Sequence, residues 1–293
     1  MCQICGATEN EPHLVELLGK YDKISFDVLQ TIPSGSKTSL FPGQIISRAS
    51  AHLDPEFSNY KEFVKMRQTR TEGEEGWRNI YEITSMTKND EKMVWKMVTN
   101  MFPATKKLGR DDRSAMLRNF ILKNWQINPI FESIGSSEHY TLKNGEDYEH
   151  LVVSWYKGTF AYGKEMSDKH IFKTFEPFWH HYLSNTAVPI FDLNLEKEEL
   201  LAIVWLLFFD SCHTNISPEC QEMCRNIRKV IFRELKNFQN DNQMDDMRFP
   251  DTIEILEVVE KSEKKFLEHV MVCEMHNVRI HEDFKAILKE NRL

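Results

Sequence analysis

No apolar stretch in the 293-residue sequence is longer than Leu200–Phe209, LLAIVWLLFF. A helix needs about 20 such residues to cross a bilayer, so this run predicts a buried helix and no membrane segment. A basic tract is also missing. Lys and Arg total 37 against 45 Asp and Glu, the formal charge is -8, and basic residues come in short groups such as Lys106 and Lys107. Phosphate binding needs concentrated positive charge, so a non-specific nucleic-acid clamp is not expected. No basic region followed by an apolar core reads as a secretory leader, and the six cysteines are expected to stay reduced. Catalytic signatures are absent too: there is no G-x-S-x-G elbow, Rossmann glycine fingerprint or H-E-x-x-H helix. GSKTS, Gly35 to Ser39, lacks the earlier glycine and the Gly-Lys pair of a phosphate loop and reads as surface loop. Asp and Glu are plentiful, yet no spacing singles out a general acid and base. No catalytic residue is nominated, and the protein is not expected to be an enzyme.

What is present points to a packed globular protein: 11% aromatic residues, six tryptophans, and 28% charged residues to keep the surface soluble. The length suits one large domain, or one with a smaller attachment. At the start, Cys2 and Cys5 have the spacing of two zinc thiolates, but a structural site needs four ligands. Only His13 is near, and the next cysteines are Cys212, Cys220, Cys224 and Cys273. Inert terminal thiols, partial metal binding and redox chemistry all stay open for this pair, with polar turn material following it at Gly6–Asn10.

Helical spacing dominates the rest. Leu14, Leu17, Leu18 and Tyr21 predict a first helix within 11–31, and the Ser-, Gly- and Pro-rich stretch 33–55 a long connection. Trp77, Ile80 and Tyr81 open a helical region that carries through Met93, Met97, Val98 and Met101. Met116, Leu117, Phe120, Ile121 and Trp125 predict the next, ending near Pro129. Asn144-Gly145, between Tyr140 and Val152–Val153, predicts a β-hairpin within 139–154. Helices resume at Phe172–Trp179 and Leu200–Phe209. Ser217 and Pro218 then start a helix with Cys220, Met223, Cys224, Ile227, Ile231, Leu235 and Phe238 facing inward. Asn240 to Pro250 reads as a polar connection, and Asp251 with Glu254 as a capping box before Ile255, Val259, Phe266, Val270 and Cys273. A last helix from Asp283 presents Phe284, Ile287 and Leu288. The sum is an all-α fold with one small β-hairpin.

Cys212, His213, Cys220 and Cys224 are near enough in sequence to be metal ligands, but Cys220 and Cys224 share the face of Met223 and Ile227, which favours core packing over zinc. Adjacent His180 and His181 point in different directions and do not converge on one ion. No metal ligands are assigned. The many Met, Phe and Trp side chains could line a pocket for a lipophilic ligand or could fill a dense core.

MVTNMFPATKKLGRDDRSAMLRNFILKNW, Met97 to Trp125, resembles the ligand-binding-domain signature of nuclear hormone receptors, through Phe102-Pro103, Leu108, Asp111-Asp112 and Met116-Leu117-Arg118. LNLEKEELLAIVWLLFFD, ISPECQEMCRNI and the 253–270 segment follow in the order of the divergent receptors expanded in nematodes. The resemblance spans about Glu11 to Leu293, with 1–10 as a separate Cys-x-x-Cys remnant. It implies a three-layer antiparallel helical sandwich, a nuclear transcription regulator, and a groove for co-regulator helices bordered by Arg118 and Glu290. Ile287 and Leu288 belong to the activation-helix pattern, and Asn100 stands where the principal groove lysine is usual. Met93, Trp95, Met97, Met101, Phe120, Phe266 and Val270 are the implied ligand-pocket candidates, with no other cofactor. Asp112 is implied to be structural, against the local reading of a carboxylate bonding its own helix start. Residues 251–273 are implied as a homo- or heterodimer contact. MCQICGA resembles the opening of a receptor zinc finger without its body, so autonomous DNA binding is not supported. The alternative is a ligand-independent helical interaction or dimerisation scaffold.

Overall fold

The computed structural model describes residues 72–73, 76–77, 79–134 and 145–291, with the side chains of 72–77, 131–147 and 289–291 excepted. All lie in the compact unit Phe41–Leu293. The expected first helix, the 33–55 connection, and Cys2 and Cys5 fall outside the described residues, as does Tyr140. The architecture is all-α. A short antiparallel pair, β1 (Glu72–Gly73) with β2 (Gly76–Trp77), precedes α1 (Ile80–Ser85) and α2 (Thr87–Met101). A 3₁₀ turn, Pro103–Lys107, leads into α3 (Arg110–Ile134). Then come α4 (Gly145–Tyr156), α5 (Asp168–Tyr182), a π-helical turn Leu183–Ala187 and α6 (Val188–Asp192). The last four are α7 (Lys197–Phe208), α8 (Pro218–Asp241), α9 (Arg248–Met275) and α10 (Glu282–Asn291).

Burial separates the layers of the helical sandwich. Every α7 residue from Glu199 to Phe208 is buried, and so is nearly all of α3 from Ala115 to Asn128. A helix apolar all round must be covered on all sides, so α7 and α3 form the middle. Helices α2, α8 and α9 each bury one stripe and turn charged residues outward. Phe102, whose ring meets Trp205 at 5.0 Å and Phe209 at 4.7 Å, ties the end of α2 to α7.

The expected hairpin within 139–154 is corrected. Val152 and Val153, its proposed return strand, lie in α4 and are buried. An apolar run such as Leu151–Val153 suits strand or helix equally; what decides is that Tyr148, Val152, Trp155 and Tyr156 recur at helical spacing. Three of them meet α5 in sequence: Tyr148 on Phe172 at 5.9 Å, Trp155 on Trp179 at 5.3 Å, Tyr156 on Phe175 at 3.9 Å. The small hairpin is instead β1–β2, so Trp77 is in a strand, and Asn79 begins α1 through a capping box with Glu82. Helix α3 runs past Pro129 to Ile134. A proline inside a helix costs about 3 kcal/mol, and burial of Trp125, Ile127 and Ile130 around it offsets that. Asp251 is no cap: α9 starts at Arg248, and the Asp251 N–H already donates to the Met247 carbonyl at 3.0 Å. The start moves upstream because Arg248 is anchored on Glu199. That carboxylate has no exposed surface and accepts from Arg248 Nε at 2.7 Å, Gln239 Nε2 at 2.7 Å and the Glu196 N–H at 2.9 Å.

Candidate functional site

The C-terminal helix α10 is seated on α1, α2 and α3. Its approach is fixed first. Asn277, at φ 58°, turns the chain out of α9; Phe160 bridges Val278, and the Arg279 N–H donates to the Thr159 carbonyl at 2.7 Å. The Arg279 guanidinium lies 5.4 Å over the Tyr81 ring, and the His281 N–H donates to Thr84 Oγ1 at 3.1 Å. Asp283 pairs with Lys88 at 2.5 Å. The apolar side then closes: Phe284 is fully buried, stacked on Trp125 at 4.7 Å and edge-on to Phe266 at 6.0 Å, with Ile287 and Leu288 buried beyond it. Ile287 and Leu288 therefore hold α10 in place and face the body of the protein. Glu290 falls in the last turn of α10.

Arg118 is half-buried on α3, and Asn100 is exposed at the end of α2. Arg118 and α10 both act on Glu91 of α2. Burial and then the Asp283 carboxylate push the Glu91 carboxyl up, while Lys88, Arg118 and Arg113 hold it down. Charges from α2, α3 and α10 thus all bear on the Glu91 carboxyl.

Asp112 reaches across the fold. Its carboxylate accepts the Ser217 N–H at 2.7 Å and the Ser217 hydroxyl at 2.8 Å, 105 residues away. Ser217 Oγ in turn accepts the Cys220 N–H at 3.1 Å as the cap of α8. The local reading of Asp112 gives way to a bond that locks the start of α3 to the start of α8.

The ligand-pocket candidates divide. Met93, Met97 and Met101 share one stripe of α2, the last two buried. Trp95 faces elsewhere, with the Arg113 guanidinium 4.8 Å from its ring. Phe120 turns to α7, where Phe208 lies 5.2 Å away edge-on. Phe266 and Val270 are buried on α9, Phe266 among Trp125, Phe178 and Phe284.

Beside Val270 the sequence reading missed a buried polar chain. The Trp179 indole N–H donates to Tyr156 Oη at 3.1 Å, and Tyr156 Oη lies 2.7 Å from His269 Nε2. With the indole donating, the phenol proton is free to go to an unprotonated Nε2. Phe178 stacks on the imidazole at 4.0 Å, and Cys273 Sγ is 3.4 Å from Nε2. Burial pushes His269 down to about 3 and Tyr156 well up, so both are neutral. The available signal was a histidine inside an otherwise apolar stripe, Phe266, Val270 and Cys273.

Cys220 and Cys224 are buried, with Cys220 Sγ 3.5 Å from Met116 Sδ, and burial raises both thiols. Cys212 is exposed. Among the described residues no group of three or more His, Cys, Asp or Glu is placed to hold a metal, and no helix is long and apolar enough to cross a membrane.

Residues 72–276 match the model of the ligand-binding domain of nuclear hormone receptors. Nuclear hormone receptor family member nhr-150 of Caenorhabditis elegans is 34% identical over 93% of this chain and 79% of its own length. Members nhr-108 and nhr-16 of the same organism are 21% and 20% identical over 63% and 64% of the chain, and over 54% and 50% of their own lengths. Proteins of this kind are ligand-regulated transcription factors and not typically enzymes. The match covers the helices that build α10's seat and the Asp112 lock, and the chain belongs to the nuclear hormone receptor ligand-binding domain family.

Proposed function

We propose that this chain is a nuclear transcription-regulator module that binds co-regulator helices beside its terminal helix. The observation that carries this is the seating of α10: Phe284, Ile287 and Leu288 are buried against the body, and α3, the helix that carries Arg118, forms part of the seat. An amphipathic peptide helix needs an apolar groove with polar groups at its ends. Arg118 and Glu290 are assigned to those ends, with Asn100 at the α2 edge, where it offers a hydrogen bond without charge. Release of α10 removes one wall, so any ligand that favours the seated arrangement raises groove occupancy. A small lipophilic molecule is proposed as that ligand, taken up among core side chains for which the α2 methionines, Phe266 and Val270 are the candidates. A homo- or heterodimer through 251–273 is the accompanying partner proposal. There the inward stripe is taken up by the core and Met271 stands exposed, with exposed Met275 one turn on, just past the segment.

The test is co-regulator peptide affinity for wild type, Arg118→Ala and Glu290→Ala. A loss of roughly fivefold or more in each is expected from removing a charge-assisted contact. Unchanged affinity in both variants rejects the groove.

A further inference from the structure

The fold gathers cations that the sequence scatters. Between Met86 and Arg118 there are eight basic and four acidic residues, in a chain whose formal charge is -8. Two of those four acids are already engaged: Asp90 is buried, and Asp112 is bonded to Ser217. Lys92 and Lys96 are exposed one turn apart on α2, in the same row as Asn100. The 3₁₀ turn carries Lys106 and Lys107, both exposed. The first turn of α3 adds exposed Arg110 and Arg113, and the Arg113 guanidinium on Trp95 brings that turn against the middle of α2. None of these cations has an ion pair among the described residues, and Arg113 rests on the Trp95 ring. Asp111 is the exposed acid among them.

Six like charges in one neighbourhood repel one another and raise the affinity for an opposite field. We propose that this basic face, bordering the co-regulator groove along α2 and the start of α3, binds an acidic flank on the partner peptide. The occupant is thus an amphipathic helix with Asp and Glu beside its apolar residues. This rests on the groove reading above and adds the partner's charge to it. Complementary charge steers encounter and fixes register as well as strengthening the complex. It also compensates for Asn100, since the cationic contribution comes from Lys96 and Lys92, one and two turns earlier in the row.

The experiment uses the full chain and three synthetic peptides with one leucine-rich helical core and flanks of Glu, Gln or Lys, followed by fluorescence anisotropy at low and high salt. The Glu-flanked peptide is expected to bind about tenfold tighter than the Gln-flanked one, as two or three exposed ion pairs supply, and to lose most of that margin as salt rises. The variant K92E/K96E/K106E/K107E should reverse the order; K92Q/K96Q, a neutral surface change that serves where the reversal disturbs folding, should narrow the margin of the Glu-flanked peptide, and an unchanged margin overturns the proposal. Equal binding of all three peptides overturns the acidic partner while leaving the groove. No binding by any peptide overturns both readings. Tighter binding of duplex DNA than of the Glu-flanked peptide, lost in the charge-reversed variant, overturns it in favour of a nucleic acid.

Discussion

Replacing Phe284 by Ala tests whether α10 is a separable element. The ring is fully buried, stacked on Trp125 at 4.7 Å and in contact with Phe266 at 6.0 Å. Truncating such a ring costs about 3–5 kcal/mol when the surroundings cannot collapse into the space. That full cost falls on the protein only if α10 stays seated. The helix is ten residues at the described end of the chain, held by this ring, Ile287, Leu288, the Lys88–Asp283 pair and the His281 N–H bond to Thr84. Letting go of it exposes those groups without opening α3 or α7. A loss of about 3 kcal/mol multiplies the released population on the order of a hundredfold. Hydrogen exchange should therefore speed up by about that factor in 282–291 and barely change in α7. The urea midpoint should fall by less than a 3–5 kcal/mol core lesion demands, and co-regulator peptide affinity should drop with it. Equal acceleration in α10 and α7 would refute the reasoning, because α10 would then open only with the whole domain.

Two further outcomes follow from contacts away from α10. Arg248→Ala leaves the unexposed Glu199 carboxylate without its cation and should cost about 3–5 kcal/mol in urea unfolding, whereas E199L/R248L together should recover most of it. Burial would raise the Glu199 carboxyl, but the bonds from Arg248, the Glu196 N–H and Gln239 outweigh it and hold it below its ordinary value. Its stabilisation is thus complete above the unfolded pKa of about 4.3 and fades as pH falls through the lower folded value; Arg248→Ala should abolish that acid limb, and an unaltered limb rejects the assignment. For the dimer proposal, sedimentation over a concentration series should show self-association or association with a partner receptor that M271E/M275E abolishes; association untouched by the pair excludes this face.

Elements with one dominant physical cause were legible in the sequence. Helix α7 is apolar on every side, and Ser217-Pro218 marks the start of α8 through a cap and a proline that gives up no hydrogen bond. Local signals failed where tertiary burial outvoted them. Asn144-Gly145 is strong turn chemistry, yet the segment after it becomes α4 because three aromatic side chains at helical spacing meet α5. The Asp251–Glu254 spacing looked like a helix start, yet Arg248, three residues earlier, carries the ion pair that fixes it. Pro129 marked an end that the packing of α3 ignores.

The candidate site was less legible because its groups depend on pairs that sequence spacing does not bring together. Asp112 needs Ser217, 105 residues on; Tyr156 needs His269, 113 residues on; Thr84 needs His281, 197 residues on. The family resemblance could assign Arg118 and Asp112 to positions, but not supply these distances. Charge behaves the same way. Read along the chain, Lys92, Lys96, Lys106, Lys107, Arg110 and Arg113 are single charges and pairs in an acidic protein, too sparse for a basic tract. Once α2 turns through the 3₁₀ segment into α3, Arg113 lies on Trp95, which brings the first turn of α3 against the helix that carries Lys92 and Lys96. Net charge governs how the whole molecule attracts a distant ion, but within a Debye length of about 8–10 Å only neighbouring charges are felt. On the proposed binding mode, a peptide at α10 would therefore meet a basic rim on a protein whose average charge is negative.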